Sequence, residues 1–262
     1  MANGNCEAIY TGESKNGFRH GKGKLVWPNG DIYEGYFSEG MRNGYGKLIF
    51  KKNHIIFVFT GEWKNSMKNG FGIEIGVISG AQIKYEGDWK DDKYNGTGFL
   101  KTSNCQYVGD FFNGQKHGYG YLMLKGGATH EGNFESGRFH GLGKYKLSDS
   151  ETYFGEFEFG LRHGNGTNIY ASGDEYCGEF RLGKKHGKGV FHEFNGETRE
   201  GEWENGTLKR WVRYLISHRR KRFPIKDLVD SKCEAKLLAK VKYLKDVAQL
   251  QASFRYAKLN MR

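Results

Sequence analysis

The sequence predicts an all-β repeat array: an elongated single-layer antiparallel β-meander followed by a C-terminal α-helical tail. Three observations carry this. A glycine-rich unit recurs nine times, mostly every 23 residues, and a period of that size marks a repeat architecture. Gly numbers 40 of 262 residues, Pro only 2, and aromatics make up 15%, which fits short strands joined by tight turns rather than disorder or collagen. The hydrophobic period changes from 2 to a helical one at residue 207.

The unit reads aromatic-x-Gly-x-aromatic, then Gly, then His-Gly-x-Gly. Tyr176-Cys177-Gly178-Glu179-Phe180, with Gly183 and His186-Gly187-Lys188-Gly189, is a clean copy. Units open at Tyr10, Tyr33, Phe59, Tyr85, Tyr107, His130, Tyr153, Tyr176 and Arg199. In the eight complete units the opening residue lies 11 positions before the Gly of the His-Gly or Asn-Gly pair, from Gly21 to Gly187. All length variation therefore falls in the second half, at 51–59, 76–85 and 101–107.

The first half starts as a strand. Side chains alternate along a strand, so Tyr33, Gly35 and Phe37 share one face. A glycine between two aromatics there invites a ring from the adjacent strand. The second half, such as Gly44-Tyr45-Gly46-Lys47-Leu48-Ile49-Phe50, is the return strand. Links such as Trp27-Pro28-Asn29-Gly30-Asp31 carry the Asn-Gly pair of a type I′ hairpin. Strands ~4.8 Å apart, two per unit, make a ribbon of ~80 Å. One side is lined by Phe37, Trp63, Trp89, Phe111, Phe134, Phe157, Phe180 and Trp203, the candidate partner-binding groove. Ser14 replaces the aromatic in the first unit, as in a terminal cap.

This pattern over residues 8–206 resembles the MORN (membrane occupation and recognition nexus) repeat. The resemblance implies a non-enzymatic structural scaffold, since such arrays recur in cilia, flagella and protist cytoskeletons. A cytoplasmic, cytoskeletal place and protein partners such as tubulin or axonemal proteins are the corresponding expectations. Some family members carry a methyltransferase or lipid-kinase domain after the repeats; the 56 residues following 206 are too few for either. A membrane tether and a regulatory subunit holding a partner helix are the alternatives.

No catalytic, cofactor or metal site is expected. Five histidines share one repeat position (His20, His117, His140, His163 and His186), where Asn43, Asn69 and Asn95 stand in other units. Equivalent residues lie two strands apart, ~10 Å, too far for ligands that must each come within about 2.1 Å of one zinc ion; a turn-forming role is expected instead. The Gly-x-Gly pairs precede no helix N-terminus, unlike a phosphate loop. Cys6, Cys105, Cys177 and Cys233 have no paired spacing and read as reduced thiols. The start of the chain shows neither a signal peptide nor a myristoylation glycine, and no apolar run is long enough to span a bilayer.

The net charge of +11 is unevenly spread. Residues 207–262 hold 16 Lys/Arg and 4 Asp/Glu, a balance of +12, which leaves 25 and 26, a balance of −1, for the array. Leu208, Trp211, Val212, Leu215 and Ile216 follow helical spacing, predicting a helix over about 207–221 that caps the open sheet. It runs into the basic anchor Arg219, Arg220, Lys221 and Arg222. A capping-box pattern at Ser231 predicts a second helix over about 231–259, docking on its own groove or on a partner. The basic cluster is open to three readings: solvated charge, an acidic protein surface, or anionic lipid. A neutral array argues against nucleic acid. Two domains follow, 1–206 and 207–262.

Overall fold

The computed structural model describes residues 7–52, 55–147 and 151–216. They form eighteen strands in two compact units, divided after Gln115. The first unit holds β1 (Ile9–Lys15), β2 (Phe18–Val26), β3 (Ile32–Ser38), β4 (Met41–Lys52), β5 (Ile55–Lys64), β6 (Met67–Ile78), β7 (Ala81–Lys90), β8 (Lys93–Lys101) and β9 (Cys105–Phe112). The second holds β10 (Gln115–Leu124), β11 (Thr129–Glu135), β12 (Arg138–Leu147), β13 (Glu151–Glu158), β14 (Leu161–Ile169), β15 (Glu175–Arg181), β16 (Lys184–His192), β17 (Glu197–Glu204) and β18 (Thr207–Ile216). Within each unit every strand pairs antiparallel with its neighbours in the chain, the expected meander.

The constant 11-residue half is a hairpin with a two-residue turn. The first turn residue has φ between 49° and 53° in all nine repeats, from Asn16 to Asn205, and the second is also left-handed. That backbone is the type I′ turn, whose twist matches the strands. Each tip after the first is tied to the preceding repeat: Gly40 N–H donates to the Arg19 carbonyl at 3.0 Å, and Gly183 N–H to the Arg162 carbonyl at 2.9 Å. A tip one residue longer would miss its acceptor, which fixes the length of this half.

Past the turn the return strand bulges. Gly12 faces Gly23 and Ser14 faces Arg19, so His20, Gly21 and Lys22 oppose Glu13 alone. Gly21 takes φ 60°, and Lys22 N–H, taken out of the ladder, donates to the Glu13 carboxylate at 3.0 Å. Asp88, Glu156 and Glu179 do the same for Thr97, Asn165 and Lys188. These recurring acids therefore cap a bulge. The glycine, not the histidine before it, carries the left-handed backbone, which corrects the expected reason for the His/Asn column.

The links between repeats differ from expectation at Asn29-Gly30. Trp27 N–H donates to the Asp31 carbonyl and Gly30 N–H to that of Trp27, both at 2.9 Å; only Gly30 is left-handed, φ 85°. This is the three-residue connection closed by a glycine bulge. Tyr170–Asp174 repeats it. The longer repeats are accommodated by longer strands, β4 to β7, with Ser79-Gly80 as a two-residue turn.

The core of each unit is a ladder of edge-on rings on one face, here called its inner face. Tyr33 meets Phe37 at 5.1 Å and Trp63 at 5.4 Å; Tyr85 meets Trp89 and Phe111 at 5.2 Å. In the second unit Tyr176 meets Phe180 at 5.3 Å and Trp203 at 4.9 Å. Each edge-to-face pair is worth ~0.5–1.5 kcal/mol beyond its buried area. The opening ring lies over a cross-strand glycine pair: a Cβ on Gly98 would stand 2.5 Å from the Tyr85 hydroxyl oxygen. That hydroxyl donates to the Asp88 carbonyl at 2.8 Å.

The helix expected from residue 207 is overturned over its first ten residues: Thr207–Ile216 is β18, paired along β17. Two bulges explain the misleading spacing. Trp203 faces Leu208, Glu202 faces Arg210, Gly201 faces Trp211 and Glu200 faces Arg213. Lys209 and Val212 are the extra residues, so a three-residue step keeps Leu208 and Trp211 on one face. Trp211 sets its ring edge-on to Trp203 at 5.8 Å. The ninth repeat thus has its return strand, and the array extends past the predicted boundary at 206. The rest of that helix, the anchor at 219–222 and the helix at 231–259 lie outside the described residues.

Candidate functional site: the inner face

The eight predicted groove aromatics all lie on the inner face and all are buried, between 2% and 6% exposed. They form the floor of that face. The residues that top the floor were not singled out from the sequence. They stand nine positions after each opening residue: Arg19, Arg42, Lys68, Tyr94, Lys116, Phe139, Arg162, Lys185 and Leu208. The hairpin register sets them opposite the second aromatic of their own repeat, Arg42 across from Phe37, Lys68 from Trp63, Arg162 from Phe157 and Lys185 from Phe180, just before the bulge. Aligning the nine repeats would have exposed a mostly cationic column beside an aromatic one.

In the first unit Arg42 sits over Trp63 at 4.1 Å and Tyr33 at 5.7 Å, and its Nη2 donates to the Ser66 carbonyl at 2.6 Å. Lys68 lies over Trp89 at 4.4 Å and Phe59 at 4.9 Å. It pairs with the buried carboxylate of Glu74, which also accepts from the Tyr94 hydroxyl at 3.1 Å. Burial lowers the Arg42 pKa and raises that of Tyr94. Leu48, Phe50, Phe57, Phe59, Lys68 and Glu74 line an open hollow of about 310 Å³.

In the second unit Arg162 lies 5.6 Å from both the Tyr153 and Phe180 rings and donates at 2.9 Å to Glu151 and to the Asn168 side-chain oxygen. Lys185 lies 4.6 Å from the Tyr176 ring, 5.1 Å from Tyr170 and 5.2 Å from Phe191. Desolvation lowers its pKa, with nearby Arg162 adding to the effect. His130 replaces the usual tyrosine, fully buried, and stacks on Phe139.

The histidine column lies beside the hairpin tips. His140 and His163 face Glu135 at 3.3 Å and Glu158 at 3.2 Å. Among the described residues no three His, Cys, Asp or Glu stand together as a metal site would require. What the inner face presents is Arg and Lys side chains lying on aromatic rings.

A meander of stitched hairpins with a repeated aromatic floor defines a repeat scaffold. The chain belongs to the MORN repeat family: that family's model matches residues 10–32, 33–55, 59–78, 85–104, 107–129, 130–152, 153–175 and 176–198. MORN repeats are protein- or membrane-binding scaffold elements, not themselves enzymatic. No curated protein matches the chain. Among solved structures it is similar to the SAS-4 (dCPAP) TCP domain of Drosophila melanogaster in complex with a proline-rich motif of Ana2 (dSTIL), at 12% identity over 74% of this chain and 85% of that one. The TM-score of 0.23 is too low for any property to be carried across.

Proposed function

We propose that this chain is a non-enzymatic scaffold that holds protein partners on its inner face, in a cilium, flagellum or other microtubule-based assembly. One observation carries the binding reading. The floor repeats from unit to unit, but the column on top of it changes, from Arg42 to Tyr94 to Lys185 to Leu208. Packing alone would repeat both; a surface that reads a partner varies where it touches. Tubulin and axonemal proteins are the partner class, and a partner helix laid along the rings is a fitting occupant. The cytoskeletal place rests on resemblance to ciliary MORN proteins.

Capture from ciliated-cell extract tests this. Arg19→Glu on the inner face should reduce recovery of axonemal partners at least tenfold, whereas Lys47→Glu, exposed on the opposite face, should not. Equal recovery by both would overturn the reading. The membrane alternative loses the first ten residues of the helix predicted over about 207–221, since 207–216 is a strand. Flotation on anionic vesicles discriminates it.

A further inference from the structure

We propose that the inner face around Lys185 is a docking site for an aspartate or glutamate side chain of a protein partner. The inference rests on the reading of the inner face as the partner surface.

The protein itself shows what such a lysine takes. Lys68 occupies the same repeat position, nine after Phe59, and closes on Glu74, fifteen after Phe59. In the eighth repeat the corresponding pair is Lys185 and Phe191. Among the described residues Lys185 closes no ion pair: its ammonium lies on the rings of Tyr170, Tyr176 and Phe191, and the Glu151 carboxylate, held by Arg162, acts on it without contact. On this half-buried ammonium, desolvation and then Arg162 disfavour the charge and Glu151 only partly offsets them, so an added anion is favoured.

A second group makes the same demand. Asn168 stands where Leu25, Leu48, Leu100 and Leu122 stand in other repeats, directly across from Tyr176. Its side-chain oxygen accepts from Arg162, and its buried amide nitrogen, with the Tyr170 hydroxyl as its polar neighbour, closes no hydrogen bond of normal geometry. An unpaired buried donor in place of a leucine costs stability unless something uses it.

Charge selects the ligand. Arg162 is neutralised by Glu151 at 2.9 Å, leaving one net positive charge from Lys185. One carboxylate balances it, whereas a phosphate dianion would overshoot. The ring walls suit the methylenes of Glu, and the whole favours a protein side chain over a lipid headgroup.

The test is an NMR titration of the full chain with a capped hexaglutamate peptide, following the Lys185 ε-methylene and the Tyr170 ring. Capped hexaglutamine, inorganic phosphate and phosphatidylserine vesicles are the comparison probes. Saturable shifts with hexaglutamate alone are expected, weakened at least tenfold by Lys185→Gln and by Asn168→Leu, which installs the residue that folds in sister repeats. Lys188→Gln removes equal charge from the opposite face and should change nothing. No shift, an equal loss in Lys188→Gln, or preference for phosphate or vesicles would overturn the proposal. Capture of partners through Arg19 in the first unit is unaffected by that failure, so the two ideas fall separately.

Discussion

His130 stacks face to face on Phe139, ring centroids 3.8 Å apart and 12° from parallel. Its ring also lies edge-on to Phe134 and Phe157, at 5.1 Å and 5.0 Å. Seven of the other eight repeats place Tyr or Phe there, the ninth having Arg199, so His130 occupies a site built for a ring that is neutral at ordinary pH.

Burial pushes the His130 pKa down to about 4. The unfolded chain, with an ordinary histidine near 6.5, then binds a proton that the fold refuses. Stability is complete above pH 6.5 and falls as pH drops toward 4, by roughly 3 kcal/mol in total. His130→Tyr should remove that share of the acid sensitivity and raise stability at pH 5, its hydroxyl meeting the Asn133 carbonyl as Tyr153 meets Glu156. Urea unfolding at pH 7.5 and 5 checks this; parallel pH profiles for both proteins would contradict it.

Phe159 and Leu182 occupy left-handed turn positions, φ 50° and 49°, and both are exposed. Asn holds the same place at 16, 65, 113 and 205 and tolerates that backbone far better. Leu182→Asn and Phe159→Asn should each stabilise the fold by about 1 kcal/mol, measured as an upward shift in thermal midpoint.

The Glu179 carboxylate accepts the Lys188 N–H at 3.1 Å, over Gly187 at φ 62°. Glu179→Ala strands that N–H and should cost about 1 kcal/mol. Faster amide exchange at Lys188 should accompany it, while Gly183, tied to Arg162, stays protected.

Trp211 completes the ladder against Trp203. Trp211→Ala should cost about 2 kcal/mol and alter the near-ultraviolet dichroism of Trp203. An unchanged Trp203 signal would mean that residues 207–216 do not pair with the array.

The array was legible because its constraints are local and repeated. Gly35 between Tyr33 and Phe37 announces both the strand and the ring that covers it, and the fixed step from Tyr10 to Gly21 announces the hairpin. Thr207–Ile216 was not legible, because bulges at Lys209 and Val212 turn a two-residue period into a step of three that mimics a helix. The type I′ turns were expected at Asn29-Gly30 but lie at Asn16-Gly17, since both pairs look alike and only the left-handed first residue, Asn16, distinguishes them. The aromatics expected to share one face do so, but they are buried, and the side chains above them were missed: Arg42, Lys68, Arg162 and Lys185 are single residues after a turn, and only the hairpin register sets them opposite those rings.

Photocrosslinking in living cells tests the central claim, that partners bind the inner face, most directly. Benzoylphenylalanine replaces Phe50 or Phe191 on the inner face, and Tyr36, exposed on the opposite face, as the control. The account predicts crosslinks to a defined set of proteins from 50 and 191 and none of these from 36. Crosslinks to the same proteins from position 36, with 50 and 191 silent, would contradict it.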